Sequence, residues 1–135
     1  MLFLPLTGCG DREDLQQYKM EMENFYHTIT SYDSVINQLD PDSPTAAEDL
    51  LAALTELNTC FSHMASLPVP REFSAVEALA VEAEEFMSQA VSLYHTAYSS
   101  QPFDHVSADA AKEYYDRANT RAVYILQILH GEIPE

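Results

Sequence analysis

From Leu15 onward, apolar residues fall at Leu15, Tyr18, Met22, Phe25, Ile29, Tyr32, Ile36 and Leu39, at intervals that alternate between three and four without a break. That is the period of one face of an α-helix, and no strand with its period of two keeps such a series on one side. Tyr26 and Val35 widen the stripe. The spacing predicts a first helix from about Asp11 to Leu39 whose apolar face must be covered by other elements.

The rest of the chain supplies three more helices of the same kind. Asp40-Pro41-Asp42-Ser43-Pro44 breaks the first, and Ser43 before Pro44 predicts an N-cap followed by proline at the first helical position. Ala47, Leu50, Leu54, Leu57, Phe61 and Met64 then mark the inner face of a second helix that Pro68-Val69-Pro70 ends near Leu67. Arg71-Glu72-Phe73 opens a third, with Val76, Leu79, Ala83, Phe86, Ala90, Leu93 and Ala97 inside, where the alanines allow a close neighbour. Ser107 is read as the cap of a fourth, carrying Ala111, Tyr115, Ala118, Ala122, Ile125 and Leu129 inward and closed by Gly131. Short connections favour antiparallel neighbours, so the expected fold is all-α, an antiparallel up-down-up-down four-helix bundle over 11–135.

A chain of 135 residues holds one domain with a full core, and 47% hydrophobic residues with three glycines argue against disorder. Its 22 acidic against 6 basic residues give a formal charge of -16. Such a polyanion is repelled by phosphate backbones and by anionic lipid head groups, so nucleic acid is not an expected partner and membrane attachment would require an anchor. No stretch reaches the roughly 18 to 20 apolar residues of a transmembrane helix. Cys9 and Cys60 lie far apart in unlike surroundings, which gives no ground for a disulfide.

The leader differs from everything after it. Leu6-Thr7-Gly8-Cys9 resembles the lipobox of bacterial lipoproteins, in which an apolar residue, a small residue and Gly or Ala precede a lipidated cysteine. The resemblance implies that Leu6, Thr7 and Gly8 are recognition positions, that Cys9 receives the diacylglyceryl group, and that cleavage before Cys9 makes it the new N-terminus. Eight residues precede Cys9 and none is Lys or Arg, so 1–10 is read as a truncated lipoprotein signal with its lipobox. The resemblance places the protein at the cell membrane, lipid-anchored on its extracytoplasmic side.

In an upright bundle both termini and the second connection lie at the membrane end. The first and third connections lie roughly 35 to 40 Å away, from a rise of about 1.5 Å per residue. Asp40 and Asp42 in one distal loop, and Tyr98, Asp104 and His105 around the other, are therefore the candidate binding residues.

No Glu-x-x-His pair of the di-iron kind occurs. Glu56, Cys60 and His63 share a helix face but need ligands from elsewhere to close a metal site, and a small buried thiol beside a boundary histidine explains them as well. Glu82-Ala83-Glu84-Glu85 lies on a helix without a turn to wrap calcium, so it reads as a solvated face. His27, His95, His105 and His130 are scattered, with no nucleophile context. No metal, cofactor or catalytic group is assigned. Arg121, close to the inner stripe, is expected to pair with a first-helix carboxylate such as Glu21. The functional expectation is a non-enzymatic interaction or binding module of the bacterial envelope, with an envelope protein or a small molecule as partner. The alternative is a small-molecule sensor or carrier with a pocket between helices lined by tyrosines such as Tyr94, Tyr98, Tyr114 and Tyr115.

Overall fold

The computed structural model describes residues 3–131, with side chains from residue 12 onward. Four helices follow one another: α1 Phe3–Asn37, α2 Ala46–Ser66, α3 Ala75–Ser99 and α4 His105–Leu129, with a single 3₁₀ turn at Arg71–Phe73 before α3. No strand occurs among the described residues. The chain is an all-α four-helix bundle, in which, of the four neighbouring pairs, α3 with α4 is the closest and α1 with α4 the most open.

α1 begins at Phe3 rather than near Asp11, so Leu6, Thr7, Gly8 and Cys9 lie within its first turns. Pro5 is tolerated there because its missing N–H falls among the donors that a helix start leaves without internal partners. Gly8 and Gly10 each cost about 1 kcal/mol relative to Ala, too little to stop a helix already propagating behind them. The side chains of Leu6, Thr7, Gly8 and Cys9 lie outside the described side chains.

α2 starts at Ala46, two residues later than the Ser43-Pro44 signal predicts. Ser43 is spent on turns: its N–H donates to the Asp40 carbonyl at 2.9 Å, and its Oγ accepts from the Thr45 N–H at 3.3 Å. Leu67 is extended, as a residue before proline prefers, and ends α2 where the sequence predicts. The cap of α4 is Asp104 rather than Ser107; its carboxylate accepts from the Ser107 N–H at 3.1 Å and the Ser107 hydroxyl at 2.6 Å. Gly131, at φ +78°, closes α4 in the left-handed conformation that favours glycine.

The core is built from Met22, Phe25 and Ile29 of α1, Leu54, Leu57, Phe61 and Met64 of α2, Val76 and Met87 of α3, and Ile125 and Leu129 of α4. Phe25 and Phe61 meet edge to face at 5.0 Å and join α1 to α2. Between α3 and α4 the seven-residue series Ala83, Ala90, Ala97 and Ala111, Ala118 is fully buried, and these small side chains let the two backbones approach.

The α3 stripe is turned relative to expectation. Val76, Ala83, Ala90 and Ala97 are buried as predicted, but the positions between them are Ala80 and Met87, not Leu79 and Phe86, and Val91 is buried where Leu93 was expected. Close packing selects the small and unbranched residues for the centre. Phe86 moves to the edge, where the guanidinium groups of Arg121 and Arg117 cover its ring at 5.0 and 5.9 Å.

Candidate functional site

The distal candidates hold the loops together. Asp40 Oδ1 accepts the Asp42 N–H at 3.0 Å, which closes the first connection into a turn. In the third connection Phe103 stacks edge-on with Tyr98 at 4.9 Å and with His105 at 4.7 Å, and the Asp104 N–H donates to the Ala97 carbonyl at 3.2 Å. Hydrogen bonds from the Ser107 side chain and backbone hold the Asp104 carboxyl below its ordinary 3.8. Among the described residues no hydrogen bond or aromatic stack joins Asp40 and Asp42 to Tyr98, Asp104 or His105. The five form two separate turns rather than one assembled site.

Arg121 does not reach α1. Its Nε lies 3.3 Å from Glu82 Oε1 on α3, and Glu21 instead faces His63 Nε2 at 4.0 Å. Packing selects this partner, since the face of α4 that carries Arg121 turns to its closest neighbour, α3. Glu82 and Glu84 are both engaged across helices, Glu84 accepting from the Ser62 hydroxyl at 3.3 Å. At α1, Glu23 meets His130 Nε2 at 2.7 Å. Cys60 is half-buried; burial, then the charge of Glu56, pushes its thiol up from 9.0, which disfavours the thiolate. Among the described residues no three His, Cys, Asp or Glu side chains are grouped to hold a metal ion.

Two hollows remain. The smaller, 320 Å³, lies in the open seam between α1 and α4 and is lined by Tyr26, Asp33, Tyr115 and Asn119 among others. The Tyr115 hydroxyl donates to Asp33 Oδ1 at 2.6 Å. Burial, reinforced by that carboxylate, pushes the phenol far up, so Tyr115 is a fixed donor. Tyr94 and Tyr98 do not line this hollow, and Tyr114 is tilted against Phe86 at 5.9 Å instead.

The larger hollow is a groove of 550 Å³ at the opposite end from the distal loops, between α1 and the connection from α2 to α3. Asp14, Gln17, Tyr18 and Glu21 form its α1 wall, at the i, i+3, i+4, i+7 spacing that shares one helix face. Leu67 to Glu72 form the other wall, extended at Leu67 and Pro70 (ψ 135° and 149°). Three carboxylates, Asp14, Glu21 and Glu72, line it against one guanidinium, Arg71. Tyr18 is 4% exposed, stacks on Phe73 at 6.2 Å, and its hydroxyl has no hydrogen-bond partner among the described residues. Burial pushes that phenol up to about 12.

The groove was not foreseen from sequence. Its α1 wall mixes the apolar stripe with the polar flank beside it, and only the docking of the Pro68–Pro70 segment opposite makes a hollow of that face. No family model, characterised protein or solved structure matches the chain.

Proposed function

We propose that the protein is a lipid-anchored, extracytoplasmic lipoprotein of the bacterial envelope, whose bundle is a non-enzymatic binding or interaction module. The observation that carries this reading is Leu6-Thr7-Gly8-Cys9. Its physical sense is that a surface of formal charge -16 does not adhere to anionic lipid, whereas acyl chains at about 0.8 kcal/mol per buried CH₂ hold a polyanion in place. The continuous α1 supports it further. Eight residues of helix lie between Cys9 and Tyr18, so nine steps of about 1.5 Å put them about 14 Å apart, a short stalk between an anchor and the packed helices. No described helix is long and apolar enough to cross a membrane, so the acyl group would be the attachment.

The test is the intact mass of the protein extracted from membranes. Cleavage before Cys9 together with added acyl mass is the expected result, and Cys9→Ser should leave the protein in the soluble fraction. An unmodified Cys9 thiol on membrane-extracted protein would remove the reading.

The groove at Tyr18 favours a second reading, a carrier or sensor of a small molecule. Its 550 Å³ falls within the roughly 300 to 1,000 Å³ of small-ligand sites. A melting-temperature screen against small-molecule libraries checks it, and no shift with any compound would count against it.

A further inference from the structure

We propose that α1 is a detachable strap: its packed part, from Tyr18 to Asn37, lifts off α2, α3 and α4 in one cooperative opening while those three helices stay folded.

Packing sets the weak line. Of the four neighbouring pairs, α3 with α4 and α2 with α3 are the closer two, and both seams that α1 makes are looser than either. Buried alanines draw the backbones of α3 and α4 together, whereas the seam between α1 and α4 keeps the 320 Å³ hollow at Tyr26, Asp33, Tyr115 and Asn119. α1 brings Tyr18, Met22, Phe25 and Ile29 to the core. Without them the other helices still share Leu54, Leu57, Phe61, Met64, Val76, Met87, Ile125 and Leu129, a contiguous core of their own.

The ties that must break are few. The Tyr115 hydroxyl donates to Asp33 Oδ1 at 2.6 Å, Glu23 meets His130 Nε2 at 2.7 Å, and Glu21 faces His63 at 4.0 Å. The two histidine contacts are exposed and hold weakly. Phe25 leaves Phe61, and Tyr18 leaves Phe73.

The connection after α1 is built to turn. Its hydrogen bonds are local: Gln38 N–H to the Ser34 carbonyl, Asp42 N–H to Asp40 Oδ1, Ser43 N–H to the Asp40 carbonyl, and Thr45 Oγ1 to Asp49 Oδ2. Among the described residues none crosses to α3 or α4, so α1 leaves without costing the connection a bond. Once detached, α1 is a single helix with an uncovered apolar face, a state in which helices are marginal in water and their amides exchange.

The experiment is hydrogen exchange of the full chain, followed by mass spectrometry from zero to low urea. Amides of Met22 to Tyr32 are expected to be at least about tenfold less protected than those at the centres of α3 and α4, and to respond less steeply to urea, because a partial opening exposes less surface. Tyr115→Phe should lower α1 protection roughly tenfold, the scale of a hydrogen bond to a charged acceptor. Asp104→Ala weakens the cap of α4, which stays folded in the open state. It should lower protection at the centres of α3 and α4 about fivefold and leave that of α1 unchanged. The proposal is overturned if α1 shares the protection and urea dependence of α3 and α4, if Asp104→Ala lowers α1 protection as well, or if Tyr115→Phe leaves it unchanged. Exchange of α2 in step with α1 also overturns it, since the line of opening then runs between α2 and α3.

Discussion

Tyr18 and Asp104 illustrate opposite uses of a polar group. The Tyr18 hydroxyl is buried without a partner among the described residues, so Tyr18→Phe removes a desolvated group and leaves a ring of the same shape. Thermal melting of Tyr18→Phe is expected to match or exceed the parent. Because the folded-state phenol is raised to about 12 from 10.0, its contribution is intact below about pH 10 and is lost as pH rises through 12. Alkaline difference absorbance should therefore show Tyr18 among the late-ionising tyrosines, beside Tyr115, and Tyr18→Phe should remove one of them. Asp104 runs the other way. Its carboxyl is lowered by Ser107, so its stabilisation is present above about pH 4 and is lost as pH falls below that. Asp104→Ala should lower the melting temperature at pH 7 and show less loss of stability on acidification than the parent. An equal acid sensitivity in both would refute that role.

At the scale of the element, the α3–α4 pair depends on alanines that a count of large hydrophobic residues undervalues. Ala90 is fully buried in the tightest interface. Ala90→Leu is expected to destabilise the bundle by about 1 to 3 kcal/mol through overpacking, read from the urea midpoint. A gain in stability would mean that the helices have room to spare. The same interface explains which parts of the stripes were legible. Val76, Ala83, Ala90 and Ala97 share a seven-residue series and were readable from periodicity. The choice between Leu79 and Ala80, or Phe86 and Met87, was not, because both lie near the same face and only the neighbour's distance selects the smaller one. Arg121 is a similar case: its nearness to the inner stripe showed in the sequence, but not which neighbour its flank faces.

For the whole molecule, charge is the dominant global term. With a formal -16 and the observed cross-helix pairs limited to Arg121–Glu82 and two histidine–glutamate contacts among the described residues, self-repulsion opposes the compact state. Raising salt from about 0.01 to 0.15 M shortens the screening length from about 30 to 8 Å and should raise the melting temperature. A flat or falling dependence would show that local pairs outweigh the repulsion.

The fold class, the number and order of helices and most of the core were legible in the chain, because helical periodicity, proline and a terminal glycine are local signals that act wherever they occur. Residues with strong local chemistry, such as Asp40 in its turn and Gly131 at the end of α4, were placed correctly without knowledge of their neighbours. Packing between helices set the rotation of α3, the partner of Arg121, the separation of the two distal turns and the groove at Tyr18. Each of these depends on distances between segments remote in the chain, and no spacing within a single helix encodes them.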